Sequence, residues 1–365
     1  MLPETNMSPQ DNYLATPSGL FFEDFTLDQE LVHGVPRTIT EGDSSLYVAL
    51  TGSRFALNCA ETVARAAGFY RTPVDNLLVF HIAFGKTVND ISLNAVANLG
   101  YAEVLFKTPV FAGDTLEVTS KVIGLKENSD GKTGIVYVHS VATNQYHQKV
   151  LCFKRWVMVH KKQGEVHLDT PIIPKMQAVI DNDEQLVPKN LDLKLWKEHY
   201  SDHQIKADDL NPGDILFHRD GITLNDSDHS MATRLYQNNA RVHFDQHLMD
   251  NTAAGKRLVY GGHIISLCRA LSYNGLGNGL WLGAIHGGTH ANPSYAGDTI
   301  YCQSKILDVK QFNRRDDIAL VRIQSLGIKN SMPDELPYLM REENGRKRYH
   351  DNLVLDLDYS VLMRR

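Results

Sequence analysis

The stretch PVFAGDTLEVTSKVIGLK (residues 109–126) lies over PSYAGDTIYCQSKILDVK (residues 293–310) without a gap, at an offset of 184. Toward the N-terminus the match continues at 185, setting Asp24 on Asp209, His33 on His218, Thr38 on Thr223 and Asp43 on Asp228. Similarity of this kind within one chain marks a duplicated domain. Each copy reads in the same order. An extended stretch (FFEDFTLDQELVHG; DILFHRDGITL) is followed by a short helical region, then an apolar helix (residues 77–88; residues 263–273), then strand-like runs. In copy one the runs are AEVLF, TLEVTSKVIGL, TGIVYVHSVAT and VLCFKRWVMV; in copy two they are GLWLGAIHG, TIYCQSKIL, IALVRIQSLG and VLDLDYSVLM. β-Branched residues and partial alternation predict strands there, and Ala-Gly-Asp-Thr suits a tight turn feeding one of them.

One apolar helix with four antiparallel strands buries its surfaces by wrapping the sheet around the helix. Two such units dock side by side and merge their sheets. The expected architecture is therefore α+β: an arm over residues 1–19, one repeat over 20–160, a connection over 161–205 and a second repeat over 206–365. The connection, rich in Pro and charge, is expected to carry some helix in NLDLKLWKEHY (residues 190–200).

Bulk properties narrow the function. The 365 residues are 42% hydrophobic, enough for a sizeable core. The net charge of −6 argues against a nucleic-acid binder. No apolar run is long enough to cross a membrane, and the polar start lacks the order of a signal peptide. Cys59, Cys152, Cys268 and Cys302 form no CxxC pair and are expected as buried, reduced thiols in a cytoplasmic protein.

Chemistry concentrates in LYQNNARVHFD (residues 235–245). At the repeat offset, GSRFALN (52–58) lies over QNNARVH (237–243), so His243 faces Asn58 and Asn238 faces Ser53. An imidazole titrates near neutral pH and suits general acid–base work, so copy two is the active candidate. Gly261 and Gly262 precede the second apolar helix. They either simply permit a turn or present free amides to an oxyanion. His286 and His290 have i,i+4 spacing, but no Glu follows the first His, and metal binding is not expected. His81 and His263 are read as equivalent, structural helix positions, and Asp245 as a loop cap.

These residues resemble the MaoC-type, (R)-specific enoyl-CoA hydratase family, whose fold is a double hot-dog. The family motif Gly-Asp-x-Asn-Pro-x-His-x-Asp falls on residues 237–245, with its His on His243 and its last Asp on Asp245. The helix-opening Gly falls on Gly262, and Gly261 stands where the family usually has His. The chain departs from the pattern at the catalytic Asp, which is Asn238, and at Asn-Pro, which is Ala240-Arg241. FFEDFTL, RTITEGD, LTGSRFALN, residues 77–104 and FKRWVMV are similar to the mesaconyl-CoA hydratase (β-methylmalyl-CoA dehydratase) subfamily. The resemblance implies reversible hydration of mesaconyl-C1-CoA to (2R,3S)-β-methylmalyl-CoA in autotrophic or acetate-assimilating carbon metabolism. It implies no metal or redox cofactor and an acyl-CoA as substrate; the oligomeric state stays open, with a homodimer expected because edge strands of double hot-dog units often pair. The same fold also hosts other enoyl-CoA hydratases, acyl-CoA thioesterases and non-catalytic acyl-CoA binders.

The substrate rationalises the departures. The carbon that water attacks carries a carboxylate, and a catalytic Asp about 4 Å away would meet it at a cost of ~4 kcal/mol at an effective dielectric near 20. Asn238 removes that charge and keeps hydrogen-bonding capacity. Arg241, or Arg54 on the matching loop of copy one, is the expected partner of the carboxylate. His243, Asn238 and Gly262 form the expected catalytic set, with Arg241, Arg54 and Gly261 contacting substrate.

Overall fold

The computed structural model describes residues 19–162, 170–180, 186–202 and 204–365. The expected N-terminal arm thus lies almost wholly outside the described residues. The first half runs β1 (Glu30–Thr38), α1 (Glu41–Thr51), α2 (Ala56–Cys59), α3 (Glu61–Ala66), α4 (Asn76–Lys86), β2 (Ala95–Phe106), β3 (Thr115–Glu127), β4 (Thr133–Thr143) and β5 (Lys149–His160). The second runs β6 (Ile215–Thr223), α5 (Asp226–Leu235), α6 (Gln246–Asp250), α7 (Gly261–Leu271), β7 (Gly279–Thr289), β8 (Thr299–Phe312) and β9 (Arg315–Lys329). A small hairpin, β10 (Met340–Glu343) and β11 (Arg346–Tyr349), precedes the last strand, β12 (Leu353–Arg364).

Ten strands form one antiparallel sheet in the order β1-β3-β4-β5-β2-β7-β12-β9-β8-β6. The order reads the same from either edge. The halves join at the β2–β7 seam, where Tyr101 pairs with Gly288 and Val104 with Ile285. Each half-sheet curls around its own helix, which gives the double hot-dog. Every residue of α4 is buried, as are nine of the eleven in α7, because each helix is enclosed by its own half-sheet and by the other half. Phe80, Ile82 and Phe84 of α4 share one core with Ile264, Leu267 and Leu271 of α7.

The duplicated sequence folds into duplicated contacts. Asp114 accepts from the Phe111 amide at 2.8 Å and Asp298 from the Tyr295 amide at 2.9 Å, with Gly113 and Gly297 at φ of 103° and 96°. That left-handed conformation is open to Gly at little cost. Thr38 bonds Thr115 at 2.7 Å, as Thr223 bonds Thr299 at 2.8 Å.

Three details depart from expectation. Residues 190–200 form no α-helix, only a 3-10 turn at Glu198–Ser201. Leu191 and Leu193 are buried with exposed neighbours between and after them, an extended pattern that ties the connection to Phe69 and Trp281. His81 and His263 are not equivalent. The helices α4 and α7 are equally long, so the fifth residue after the start of one, His81, matches Ser266 of the other. The helices keep the offset of 185 and the strands after them take 184, so the gap between the repeats falls after the helices, and His81 and His263, 182 apart, fit neither register. Finally, Cys59 lies exposed in α2 and Cys152 is half-buried in β5, although all four thiols are free.

Candidate active site

After α5 the chain turns sharply inward. Gln237 takes φ of 52°, and the buried Asn238 accepts the Ala240 amide on its Oδ1 at 3.0 Å. This local side-chain turn starts the short 3-10 turn Arg241–His243. Asp245 then accepts the Leu248 amide at 2.9 Å and caps α6. Between these two anchors the His243 ring is driven into the protein, where it is 7% exposed.

His243 Nδ1 lies 2.7 Å from the Leu258 carbonyl oxygen. A carbonyl only accepts, so Nδ1 carries the hydrogen and Nε2 holds the lone pair. Nε2 makes no hydrogen bond among the described residues. Burial pulls the imidazole down to about 4, outweighing the Leu258 bond that favours the cation. At neutral pH the ring is therefore an uncharged base aimed by its other nitrogen.

Beside it begins α7. The amides of Gly261 and Gly262 lie in its first turn, where no helical carbonyl can reach them. A Cβ on Gly262 would sit 2.4 Å from the Tyr260 ring and 2.7 Å from His81 Nδ1; one on Gly261 would sit 2.5 Å from the His290 ring. The two glycines are thus needed for close approach. Tyr260 stands between two imidazoles, its ring centroid 5.7 Å from that of His243 and 5.6 Å from that of His81. His81 Nε2 lies 2.9 Å from the Ser266 hydroxyl, while its buried Nδ1 has no hydrogen-bond partner among the described residues. His290 Nε2 lies 3.2 Å from the Tyr101 hydroxyl across the seam. The site is thus walled by both halves: Asn239 bonds Asn89 at 3.1 Å, and Gly85 lies against the Tyr236 carbonyl. A neutral base, an amide pair at a helix start and a dry wall suit addition of water to an activated alkene.

Of the other expected residues, Arg241 is exposed beside the loop and has no ion pair among the described residues. Arg54 is not brought here. It stacks 4.5 Å over Tyr273 and bonds Asn274 at 2.5 Å, past the far end of α7, about 16 Å from the helix start at 1.5 Å per residue. The pseudo-twofold arrangement sends equivalent loops to opposite ends of the paired helices. At the silent position Asn58 donates to the Pro73 carbonyl at 3.2 Å.

A second constellation merits comparison. His33 contacts Asp90 at 2.6 Å and Ser120 at 2.7 Å, the order of a serine hydrolase triad. Ser120 is buried and bonded to Ser140 at 2.7 Å. The second half repeats the arrangement with His218 on Ser304 at 2.8 Å and on the Asn274 carbonyl at 2.7 Å. A carboxylate in one half and a carbonyl in the other serve equally, so the network pins each edge strand to its neighbour.

The profile of the mesaconyl-CoA hydratase family matches residues 3–334. The chain belongs to that family. A β-methylmalyl-CoA dehydratase of Chloroflexus aurantiacus is 48% identical over 350 residues, covering 96% of this chain and 98% of its own. A mesaconyl-CoA hydratase of Cereibacter sphaeroides is 42% identical, covering 96% of this chain and all of its own. The crystal structure of a MaoC domain dehydratase from Chloroflexus aurantiacus superposes with a TM-score of 0.92 at 47% identity, covering 97% of this chain and 99% of that one.

Tyr260, His81 and His290, which the sequence does not mark as site residues, also stand against the start of α7: His81 reads there as a structural helix position, and His290 as one of an i,i+4 pair where no metal is expected. Among the described residues no cluster of metal-ligating side chains occurs, and no helix is long and apolar enough to cross a membrane.

Proposed function

We propose that this protein catalyses the reversible hydration of mesaconyl-C1-CoA to (2R,3S)-β-methylmalyl-CoA. The observation that carries the reading is the His243 ring, fixed by Leu258 with its Nε2 lone pair free beside the start of α7. The names of its relatives, a dehydratase and a hydratase of this pair of thioesters, support the same reaction in its two directions.

In the hydration direction, water gives a proton to His243 Nε2 as its oxygen bonds to the carbon bearing the carboxylate. The alkene electron pair moves toward the thioester oxygen, which takes up the Gly262 N–H. The imidazolium then returns its proton to the α-carbon, so one water is added and the enzyme is unchanged. Asn238, whose oxygen already holds the Ala240 amide, offers its NH2 group to the water or the carboxylate without adding charge. No metal or redox cofactor enters the scheme. Mixing mesaconyl-CoA with the protein should remove the enoyl-thioester absorbance without releasing free thiol. Thiol release would identify a thioesterase, and neither signal would identify a binder; both defeat the proposal.

We also infer a cytoplasmic homodimer. The free thiols suit a reducing compartment. Edge strand β1 exposes Val32 and Val35, and edge strand β6 exposes Ile215 and Phe217, apolar edges of the kind that pairing covers. Light scattering that returned a monomer would overturn the dimer.

A further inference from the structure

The silent half serves as an internal comparison for the active one. Where the active half has Ala240, Tyr260 and Gly262, the silent half has Phe55, Asp75 and Leu77, which line a cavity of about 20 Å³, room for one water. Arg269 of α7 reaches in. Its guanidinium lies 3.5 Å over Phe55, bonds the Gly279 carbonyl at 3.0 Å and the Ser272 hydroxyl at 3.2 Å, and feels the carboxylate of Asp75. The silent site contains a cation together with its own anion.

In the active half the cation has moved from helix to strand. The helix position of Arg269 is held by Phe84. The sheet position of Tyr359, which contacts Arg269, is held by Arg155. Register fixes this second equivalence: Arg155 pairs with Tyr101 and Val138, and Tyr359 with their counterparts Ile285 and Ile323. The guanidinium of Arg155 lies 4.3 Å from the Phe84 ring and is fully buried. One nitrogen reaches the Thr87 carbonyl and the Ser92 hydroxyl, both at 3.4 Å. Nε and the other terminal nitrogen have no hydrogen-bond partner among the described residues. Among the described residues it has no carboxylate partner, because the position of Asp75 is here Tyr260. A buried guanidinium without an anion is costly, and burial pulls its pKa down to about 9.

Two routes lead from Arg155 to the reacting groups. Phe84 meets Tyr260 at 5.8 Å, and Tyr260 meets His243 at 5.7 Å. Tyr101, opposite Arg155 on the same sheet face, touches His290 beside Gly261. Resting on the reaction proposed above, we infer that Arg155 receives the free carboxylate of the substrate and selects dicarboxylic acyl groups. The substrate supplies the anion that the silent half carries as Asp75. Neutralising the carboxylate also makes the adjoining alkene carbon more open to water. The competing role is structural, a cation closing the C-terminal end of α4.

The two roles separate by substrate. (E)-2-Methylcrotonyl-CoA replaces the carboxylate of mesaconyl-C1-CoA with a methyl group. The ratio of kcat/KM for the two substrates should fall roughly 10- to 100-fold in Arg155→Met, the range for losing a charge-assisted pair. Arg155→Lys keeps a cation in the core and reads the same ratio if the Met variant does not fold; without the bidentate fork it should fall about 10-fold. A ratio unmoved in the folded variants, or moved by Arg241→Ala and not by Arg155→Lys, overturns the assignment. A wild-type protein that hydrates 2-methylcrotonyl-CoA but not mesaconyl-CoA overturns the proposed reaction, and the inference with it.

Discussion

The Nδ1–H of His243 donates to the Leu258 carbonyl at 2.7 Å. That bond settles which nitrogen of the ring can accept a proton, and it aims that nitrogen beside the free amides of α7. The backbone therefore does the orienting that many general bases receive from a carboxylate. Burial holds the ring's pKa down at about 4, and a carbonyl offsets that burial less than a carboxylate would.

Replacing His243 with Gln keeps the polarity and removes the base. Turnover should fall about 10³-fold, within the range for a lost general base, while KM for mesaconyl-CoA changes little. In the wild type, kcat/KM should stay level through neutral pH, and any limb from this ring should have its midpoint near 4. Steady-state kinetics of both proteins from pH 5 to 9 check the loss and the level profile, and a limb centred within that range would not belong to this ring; near-normal turnover in the variant would remove His243 from the mechanism.

Gly262→Ala places a methyl group 2.4 Å from the Tyr260 ring and 2.7 Å from His81. The first turn of α7 must shift. The cost to stability should be about 1–3 kcal/mol, as for other overpacked sites. Loss of the aligned amide should lower kcat/KM about 10²-fold. Denaturant titration and kinetics on one preparation read both effects. Unchanged kinetics would show that the amide does not meet the thioester.

The Asp90–His33–Ser120 array should be silent in catalysis. Ser120→Ala or His33→Gln should leave mesaconyl-CoA hydration at wild-type rates and lower stability by about 1–3 kcal/mol, the cost of stranding a buried hydrogen-bonding group. If the wild type hydrolyses thioesters and Ser120→Ala stops it, the array is a nucleophile after all.

Acid should weaken the fold before it exhausts the base. Burial pulls His218, His243, His263 and His290 each down to about 4. In the unfolded chain an imidazole takes up its proton near 6.5. Between those values the unfolded state binds more protons, so stability is complete above about pH 6.5 and drains as pH falls toward 4. Each ring contributes at most about 1.4 kcal/mol per pH unit over that window. The urea midpoint should hold steady from pH 8.5 to 7 and fall clearly by pH 5. A flat midpoint down to pH 5 would mean that these rings are hydrated.

The repeat was legible because the Ala-Gly-Asp-Thr turn needs the same few residues in each copy, and because strand alternation survives divergence. His243 stood out since its counterpart, Asn58, cannot act as a base. Contacts made where the halves dock left no local pattern. Arg155 sits in FKRWVMV between Lys154 and Trp156 and reads as one more surface cation; only strand parity puts it inside. Arg54 looked plausible because matching loops suggested a shared site, whereas the docking geometry separates them by the length of a helix.

The Asn239–Asn89 bond and the close fit of Gly85 under Tyr236 bear on why the inert repeat persists. A severed C-terminal fragment would own a proton acceptor with no floor beneath it. Co-expressed halves would have to rebuild the β2–β7 seam before any turnover could return. The first repeat therefore serves the proposed site as masonry, through the shape of its helix end.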